Sequence, residues 1–270
     1  DETAEIILLE RGEYISYANC GLPYYIGGTI AERENLFVQT PESFGRRFNV
    51  DVRVENEAMA IDTDAKTVKI RRADGSEYME SYDRLLLSPG STALRPPLPG
   101  IDLPGIFTLR NVENTDRIKT YITENKVREA VVVGGGFIGL EMAENLHDAG
   151  AHVSIVEMSD QVMAPVDFSI ASHVHRHLMD KGVGLHISKG VDHFEQEGNR
   201  LRVFFGQGES IVADIVLLSI GVRPSVSLAQ EAGIELGQKG IKVNKYLETS
   251  AKDVYAVGDI ISKKYRQITT

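Results

Sequence analysis

The sequence predicts an α/β fold of two three-layer domains, the second inserted in the first, and three observations predict it. The first is the run from Val131 to Glu141, Val-Val-Val-Gly-Gly-Gly-Phe-Ile-Gly-Leu-Glu, followed by Ala149-Gly150 and then Val153-Ser154-Ile155-Val156-Glu157. It reads as a buried β-branched strand, a glycine turn at 134, 136 and 139, a helix with a C-cap signal, and a second strand ending in an acid. Glu157 stands 23 residues after Gly134, the spacing at which an acid meets an adenosine ribose while the glycine turn brings backbone N–H groups to a pyrophosphate. The second observation is that residues 5–12 line up with residues 152–159, so the chain repeats a strand that ends in an acid, here Glu10. The third is that the run Ala213 to Pro224 echoes Tyr82 to Gly90, each an apolar strand that stops at a glycine. Together they describe two Rossmann-like dinucleotide-binding domains: 1–105 as the first part of one, 106–224 as the inserted second, and 225–270 as the return to the first.

Composition sets limits on partners. With 42% apolar and 25% charged residues, 270 residues suffice for two cores. The excess of 39 acids over 29 bases, a net charge of -10, argues against a nucleic-acid or anionic-membrane surface. No apolar stretch approaches a membrane span, and the first residues do not read as a signal peptide, so the chain reads as cytoplasmic. If Glu10 plays the part of Glu157, its own glycine turn falls before residue 1. The first domain is therefore expected to be truncated at its N-terminus and to hold its dinucleotide weakly.

In chain order, Cys20 is the single cysteine and lies in Ser16-Tyr17-Ala18-Asn19-Cys20-Gly21-Leu22-Pro23-Tyr24. Pro23 suits the first turn of a helix, which would set Cys20 at a helix N-terminus favourable to a thiolate. Residues 48–61 and 66–72 alternate as strands, and Asp74-Gly75 marks a hairpin turn. Residues 82–90 form a buried strand, and the proline-rich run 94–100 reads as a stiff linker that puts the boundary near 105. Helices are expected over 114–125 and 170–181, and strands over 183–188, 201–205 and 211–219. His173, His175 and His177 invite a test as metal ligands, since His173 and His177 share a helix face, but no acid or cysteine has matching spacing, so they are read as a solvated helix face and no metal site is assigned. Residues 253–260 give a strand ending in Gly258-Asp259, whose carboxylate can accept from a ribose or polyol.

These motifs, Gly134 to Glu141, Ile220 to Pro224 and Tyr255 to Asp259, resemble the flavoprotein disulfide reductases that carry two dinucleotide sites. The stretch Ser16 to Tyr24 is similar to the coenzyme A-disulfide reductase branch, including its persulfide-reducing relatives. Most of the family uses a Cys-x4-Cys pair, whereas here Tyr25 follows Cys20 at five residues, which fits a branch working through one sulfur. The resemblance implies FAD and NADH as cofactors. It places Glu10, Arg11, Ser88, Gly90 and Asp259 at FAD, and Gly134, Gly136, Ile138, Gly139 and Glu157 at the nicotinamide dinucleotide. Phe137 would be an aromatic gate, Glu141 would meet the nicotinamide carboxamide, and Gly221 would line that pocket. Cys20 would be catalytic, with Ser16 and Asn19 positioning coenzyme A. Glu157 would repel the 2′-phosphate of NADPH. The expected substrate is coenzyme A disulfide or a persulfide, and the parent is expected to be a homodimer through a C-terminal domain lying beyond Thr270. Two other readings stay open: reduction of oxygen or peroxide through a sulfenic acid at Cys20, and a nucleotide-binding redox module without turnover.

Overall fold

In the computed structural model, residues 3–262 are described, and the chain divides into two compact units. Among the described residues, one comprises 3–17, Phe37–Thr92 and 222–262; the other comprises Ala18–Leu36 and Ala93–Gly221.

The second unit is built on a five-stranded parallel sheet in the order Ile106–Thr108, Ile215–Leu218, Glu129–Val133, His152–Val156, Gly184–His186. Val131 pairs with Ser154 on one side and Val216 on the other. Strands covered on both faces read as continuous apolar runs, which is why this segment carries three valines in succession. Val131, Val133, Val156, Val216 and Leu218 join one core cluster with Phe194, Leu201, Val203 and Phe205 of an antiparallel sheet formed by Val191–Glu197, Arg200–Phe205 and Glu209–Ala213. By the alternation of a strand, Val132 and Ile155 point the other way, and both are fully buried. The helices Val112–Glu124, Phe137–Asp148 and Phe168–Asp180 supply Ile118, Met142, Leu146 and Ala171 to the buried interior. The unit thus has the three-layer Rossmann-like arrangement that the motif predicts.

The first unit pairs Ile6–Leu9 with Val50–Arg53 and Leu85–Leu87 with Val254–Ala256, both in parallel. It adds the antiparallel set Asn56–Asp62, Thr67–Arg72 and Glu77–Ser81, and its core gathers Ile61, Val68, Ile70, Leu87, Val254, Ala256 and Ile260.

Several expectations are corrected. Phe48 does not begin a strand: it ends the helix Pro41–Phe48, which Thr40 opens with a reciprocal side-chain cap to Ser43. Only Leu87 is buried in the strand Leu85–Leu87. The strand expected over 211–219 breaks at Asp214, so that one half joins the antiparallel sheet and the other the parallel sheet. The strand Val191–Glu197, with Asp192, Glu195, Gln196 and Glu197 exposed, gives too weak a signal to be read from sequence. The proline-rich run is no free linker: Pro99 O accepts the Phe194 N–H at 2.9 Å, and Leu98 packs on the core of the second unit. The Cα packing accordingly divides the chain at 92/93 and 221/222, where the sequence suggests 105 and 224, and it groups residues 18–36 with the second unit.

Asp214 earns its break in the strand by what it holds. Its Oδ2 accepts the N–H groups of Arg128 and Glu129 at 2.8 and 2.9 Å, and its Oδ1 meets Arg200 Nε at 2.8 Å. Burial alone would raise this carboxyl, but the two N–H donors and the guanidinium outweigh it and hold the group below its usual range. A lowered folded-state value means stability that is complete above the ordinary carboxylate pKa of about 3.9 and is lost as pH falls through the folded value. Asp214→Ala should therefore cost about 2 kcal/mol at neutral pH and should remove part of the acid-side loss of stability, as urea unfolding at pH 7 and pH 3 would measure.

Candidate dinucleotide and redox sites

The glycine turn is built by close approach. A Cβ on Gly139 would lie 2.0 Å from Gly134 O, and one on Gly134, whose φ is +107°, would lie 2.5 Å from Ser219 O. The first turn of the helix Phe137–Asp148 is thereby pressed onto the end of the strand Glu129–Val133. At Gly136, by contrast, an added Cβ meets nothing within 4 Å. Gly136 is the N-cap of the twelve-residue helix and carries no side-chain cap, and Gly136, Phe137 and Ile138 are all exposed. Uncapped N–H groups beside open space at a helix N-terminus fit a pyrophosphate.

Glu157 stands at the end of the strand His152–Val156. Its Oε2 accepts the Gly135 N–H and its Oε1 the Ser159 N–H, each at 2.6 Å. Glu10 repeats one of these two bonds in the first unit, its Oε1 accepting the N–H of Gly12, two residues on, at 2.7 Å. The two acids thus share the bond to the N–H two residues on, while the bond from the glycine turn is seen at Glu157. Arg11 and Ser88 are exposed, Gly90 has φ +72° and Gly221 φ +107°. Asp259 Oδ2 accepts from Ser91 Oγ at 3.2 Å and remains exposed, which suits a polyol. Phe137 is 59% exposed, so helix packing does not account for its aromatic ring. Glu141 is half-buried, and burial, helped by Glu144, pushes its carboxyl up.

Cys20 is exposed and lies in the 3-10 turn Asn19–Gly21, ahead of a helix of five residues, Leu22–Ile26. The helix-terminus argument for its thiolate loses its basis, since so short a helix sums few peptide dipoles. Asn19 is exposed on the same turn, and Ser16, in the strand Ser16–Tyr17, faces Gln39 across the ladder.

What the sequence does not disclose is how the cysteine segment is fastened within its unit. Arg33 forks onto Asp116 through Nε and Nη2, the latter at 2.7 Å. Lys119 Nζ donates to Tyr25 O and lies 3.7 Å from the Tyr25 ring centroid, and burial pushes its ammonium down. Gly27 approaches Asn145 so closely that a Cβ would fall 2.5 Å from Oδ1. The signal for these contacts was absent because Arg33, Asp116 and Lys119 look like ordinary surface charges. The reading of the three histidines as a solvated face is corrected at His175, which is buried between Ala171 and Leu178, an apolar helix-face spacing that was the readable clue.

Fold and turn together define a dinucleotide-binding α/β protein with a repeated nucleotide-binding half. The chain matches the pyridine nucleotide-disulphide oxidoreductase family over residues 2–270 and belongs to it. It is 34% identical over 258 residues to an NADH oxidase of Methanocaldococcus jannaschii, covering 95% of this chain and 57% of that protein. It is 33% identical over 270 residues to a coenzyme A disulfide reductase of Staphylococcus aureus, covering 99% and 60%. Among solved structures, the reduced CoADR-RHD protein of Bacillus anthracis superposes with a TM-score of 0.94 at 50% identity, over 97% of this chain and 47% of that one. An NAD-dependent persulfide reductase from A. fulgidus gives 0.92 at 37%, over 97% and 49%. The chain thus spans between 47% and 60% of these relatives' lengths. Among the described residues, no helix is long and apolar enough to cross a membrane.

The glycines divide into two kinds with separable effects. Gly139→Ala should destabilise the nucleotide-free protein by about 3 kcal/mol, because backbone must move to admit the methyl group. Gly136→Ala, at φ −77° and in open space, should leave the unfolding midpoint within about 0.5 kcal/mol of the parent while weakening NAD+. Denaturant titrations with and without NAD+ would check both.

Proposed function

We propose that the protein is an NADH-dependent flavoprotein that reduces coenzyme A disulfide, or a persulfide of coenzyme A, through Cys20. The observation that carries this reading is the exposed Cys20 on the Asn19–Gly21 turn, the one thiol in 270 residues. Within these 270 residues Cys20 has no second cysteine to pair with, and a sulfur supplied by the substrate would complete the exchange. The relatives named coenzyme A disulfide reductase and persulfide reductase support the same choice.

On this reading the Cys20 thiolate attacks one sulfur of coenzyme A disulfide, forming a mixed disulfide and releasing one coenzyme A thiolate. Two electrons and one proton then release the second coenzyme A as a thiol and restore the Cys20 thiolate. With a persulfide, attack on the outer sulfur leaves a Cys20 persulfide and a coenzyme A thiolate, and the same two electrons and proton release hydrogen sulfide. Bound FAD supplies the relay of electron pairs from NADH to sulfur. Glu10, Arg11, Ser88, Gly90 and Asp259 would hold that flavin. Gly134, Gly136, Ile138, Gly139 and Glu157 would hold NADH, with Phe137, Glu141 and Gly221 at its nicotinamide end. Ser16 and Asn19 would orient coenzyme A. The parent protein is expected to act as a cytoplasmic homodimer.

A second reading, oxidation of NADH by oxygen with Cys20 cycling through a sulfenic acid, draws support from the archaeal relative's name. Cys20→Ser in the flavin-loaded protein should lower NADH-dependent turnover of coenzyme A disulfide and persulfide by about a thousandfold, with stopped-flow flavin reduction by NADH unchanged. Turnover with oxygen faster than with either sulfur substrate in the parent would favour the oxidase instead.

Cofactor preference follows from Glu157, whose carboxylate stands where a 2′-phosphate would bring a second negative charge. Steady-state kcat/KM for NADH should exceed that for NADPH by about tenfold or more, and equal values would overturn the assignment.

A further inference from the structure

The three histidines of the Phe168–Asp180 helix do not share a fate. His173 and His177 are exposed, whereas His175 is 8% exposed, with Ala171 and Leu178 on the inner face and the Phe168 ring edge-on at 6.1 Å. Its Nε2 lies 3.1 Å from the backbone nitrogen of Val162, in a buried bond. An amide N–H can only donate, so Nε2 accepts and the ring proton sits on Nδ1.

Val162 in turn supports the glycine turn. It is fully buried, and a Cβ added at Gly135 would meet its Cγ1 at 2.7 Å. The next residue, Met163, takes the left-handed conformation at φ +52° and donates its N–H to Gly135 O at 2.8 Å. Such a backbone state is costly for a side chain with a Cβ and persists where surrounding contacts enforce it. Here they include the Val166 N–H to Met163 O at 2.9 Å and Gln161 Nε2 to Val166 O at 2.8 Å. Gly135 is thus gripped from both sides, its carbonyl by Met163 and its N–H by the Glu157 carboxylate.

We propose that His175 is a positioning residue for the dinucleotide. Its Nε2 fixes the Val162 N–H, the Val162–Met163 pair fixes Gly135, and Gly135 sets the N–H groups of Gly136 to Ile138 that would receive the pyrophosphate. This role rests on the reading of that turn as the NADH site. An apolar side chain of similar size would fill the same volume but leave the Val162 N–H dry and without an acceptor, which loosens the loop rather than the core. Glutamine places a carbonyl oxygen near the position of Nε2 and keeps the acceptor.

The test compares His175→Leu and His175→Gln in the flavin-loaded protein, by calorimetric titration of the oxidised form with NAD+ and by NADH kinetics. The Leu variant should raise both the Kd for NAD+ and the KM for NADH about tenfold with kcat within about twofold, and the Gln variant should recover to within about threefold of the parent. Amide exchange at Val162 and Met163 should quicken in the Leu variant alone. In the parent, nitrogen NMR should show a coupling across Val162 N–H and His175 Nε2, a measurement that decides the matter even if a variant fails to fold. Parental affinity in the Leu variant, a Gln variant as weak as Leu, or a proton on Nε2 would each overturn the positioning role while leaving the NADH site standing. A parent that binds no NAD+ would overturn the site itself and this role with it.

Discussion

The absence of any room for a Cβ between Gly134 and Gly139 is the constraint on which the second unit depends. A carbonyl oxygen 2.0 Å from the nearest possible Cβ means that the helix begins as close to the strand end as two backbones can come. Its first N–H groups are then delivered at a fixed height above the sheet, and they remain uncapped because Gly136 has no side chain with which to satisfy them. The same glycine run has to be held against its own flexibility. Glu157, Val162 and Met163 do this from three directions, so the permissive backbone of the turn is paired with an over-determined surround.

The helix that starts at this turn also fastens the cysteine segment. Near its C-terminal end Asn145 is 2% exposed, donates to Glu141 O at 2.8 Å and packs against Gly27, one residue past the helix that follows Cys20. Arg33 and Lys119 make the second attachment, through the helix Val112–Glu124. The bidentate fork of Arg33 on Asp116 fixes direction as well as distance, which a lysine at that position could not do. Within this unit the sulfur and the glycine turn are therefore attached to one element, and their separation is set by the length of a helix rather than by a loop. On the proposed chemistry this matters, since positions held by packed helices are more exact than positions held by loops.

The strand, turn, helix, strand and acid of the second unit were legible in sequence because each is a local rule: β-branched residues for a buried strand, glycine for close approach, spacing for the acid. The acid at Glu10 was legible for the same reason, by alignment with Glu157. What was not legible depends on tertiary pairing. The strand Val191–Glu197 has only Phe194 fully buried, so its pattern is hidden by charge until Arg200–Phe205 pairs with it. The break at Asp214 follows from backbone donors on Arg128 and Glu129, more than eighty residues away, which no local pattern reports. The thiolate argument at Cys20 failed on length: Pro23 does mark a first turn, but proline placement says nothing of how soon the helix stops.

The acid at 157 has two tasks that cannot be separated. As a charge it would, on the proposed reading, disfavour a 2′-phosphate, and as an acceptor it holds Gly135 and Ser159. Removing the carboxylate would lift that repulsion and at the same time release the glycine turn proposed to receive the pyrophosphate. Nor is a cation waiting in the next loop to bind the extra phosphate. Lys189 gives its backbone N–H to Glu157 O, but its ammonium is held by Glu209 at 2.7 Å. The following residues, Met158 to Met163, contain neither lysine nor arginine. On the proposed reading, preference for NADH would be a property of the whole hydrogen-bonded surround. A change of cofactor would require a new cation, the release of Lys189 or an added arginine, together with a neutral acceptor at 157 that still holds two N–H groups.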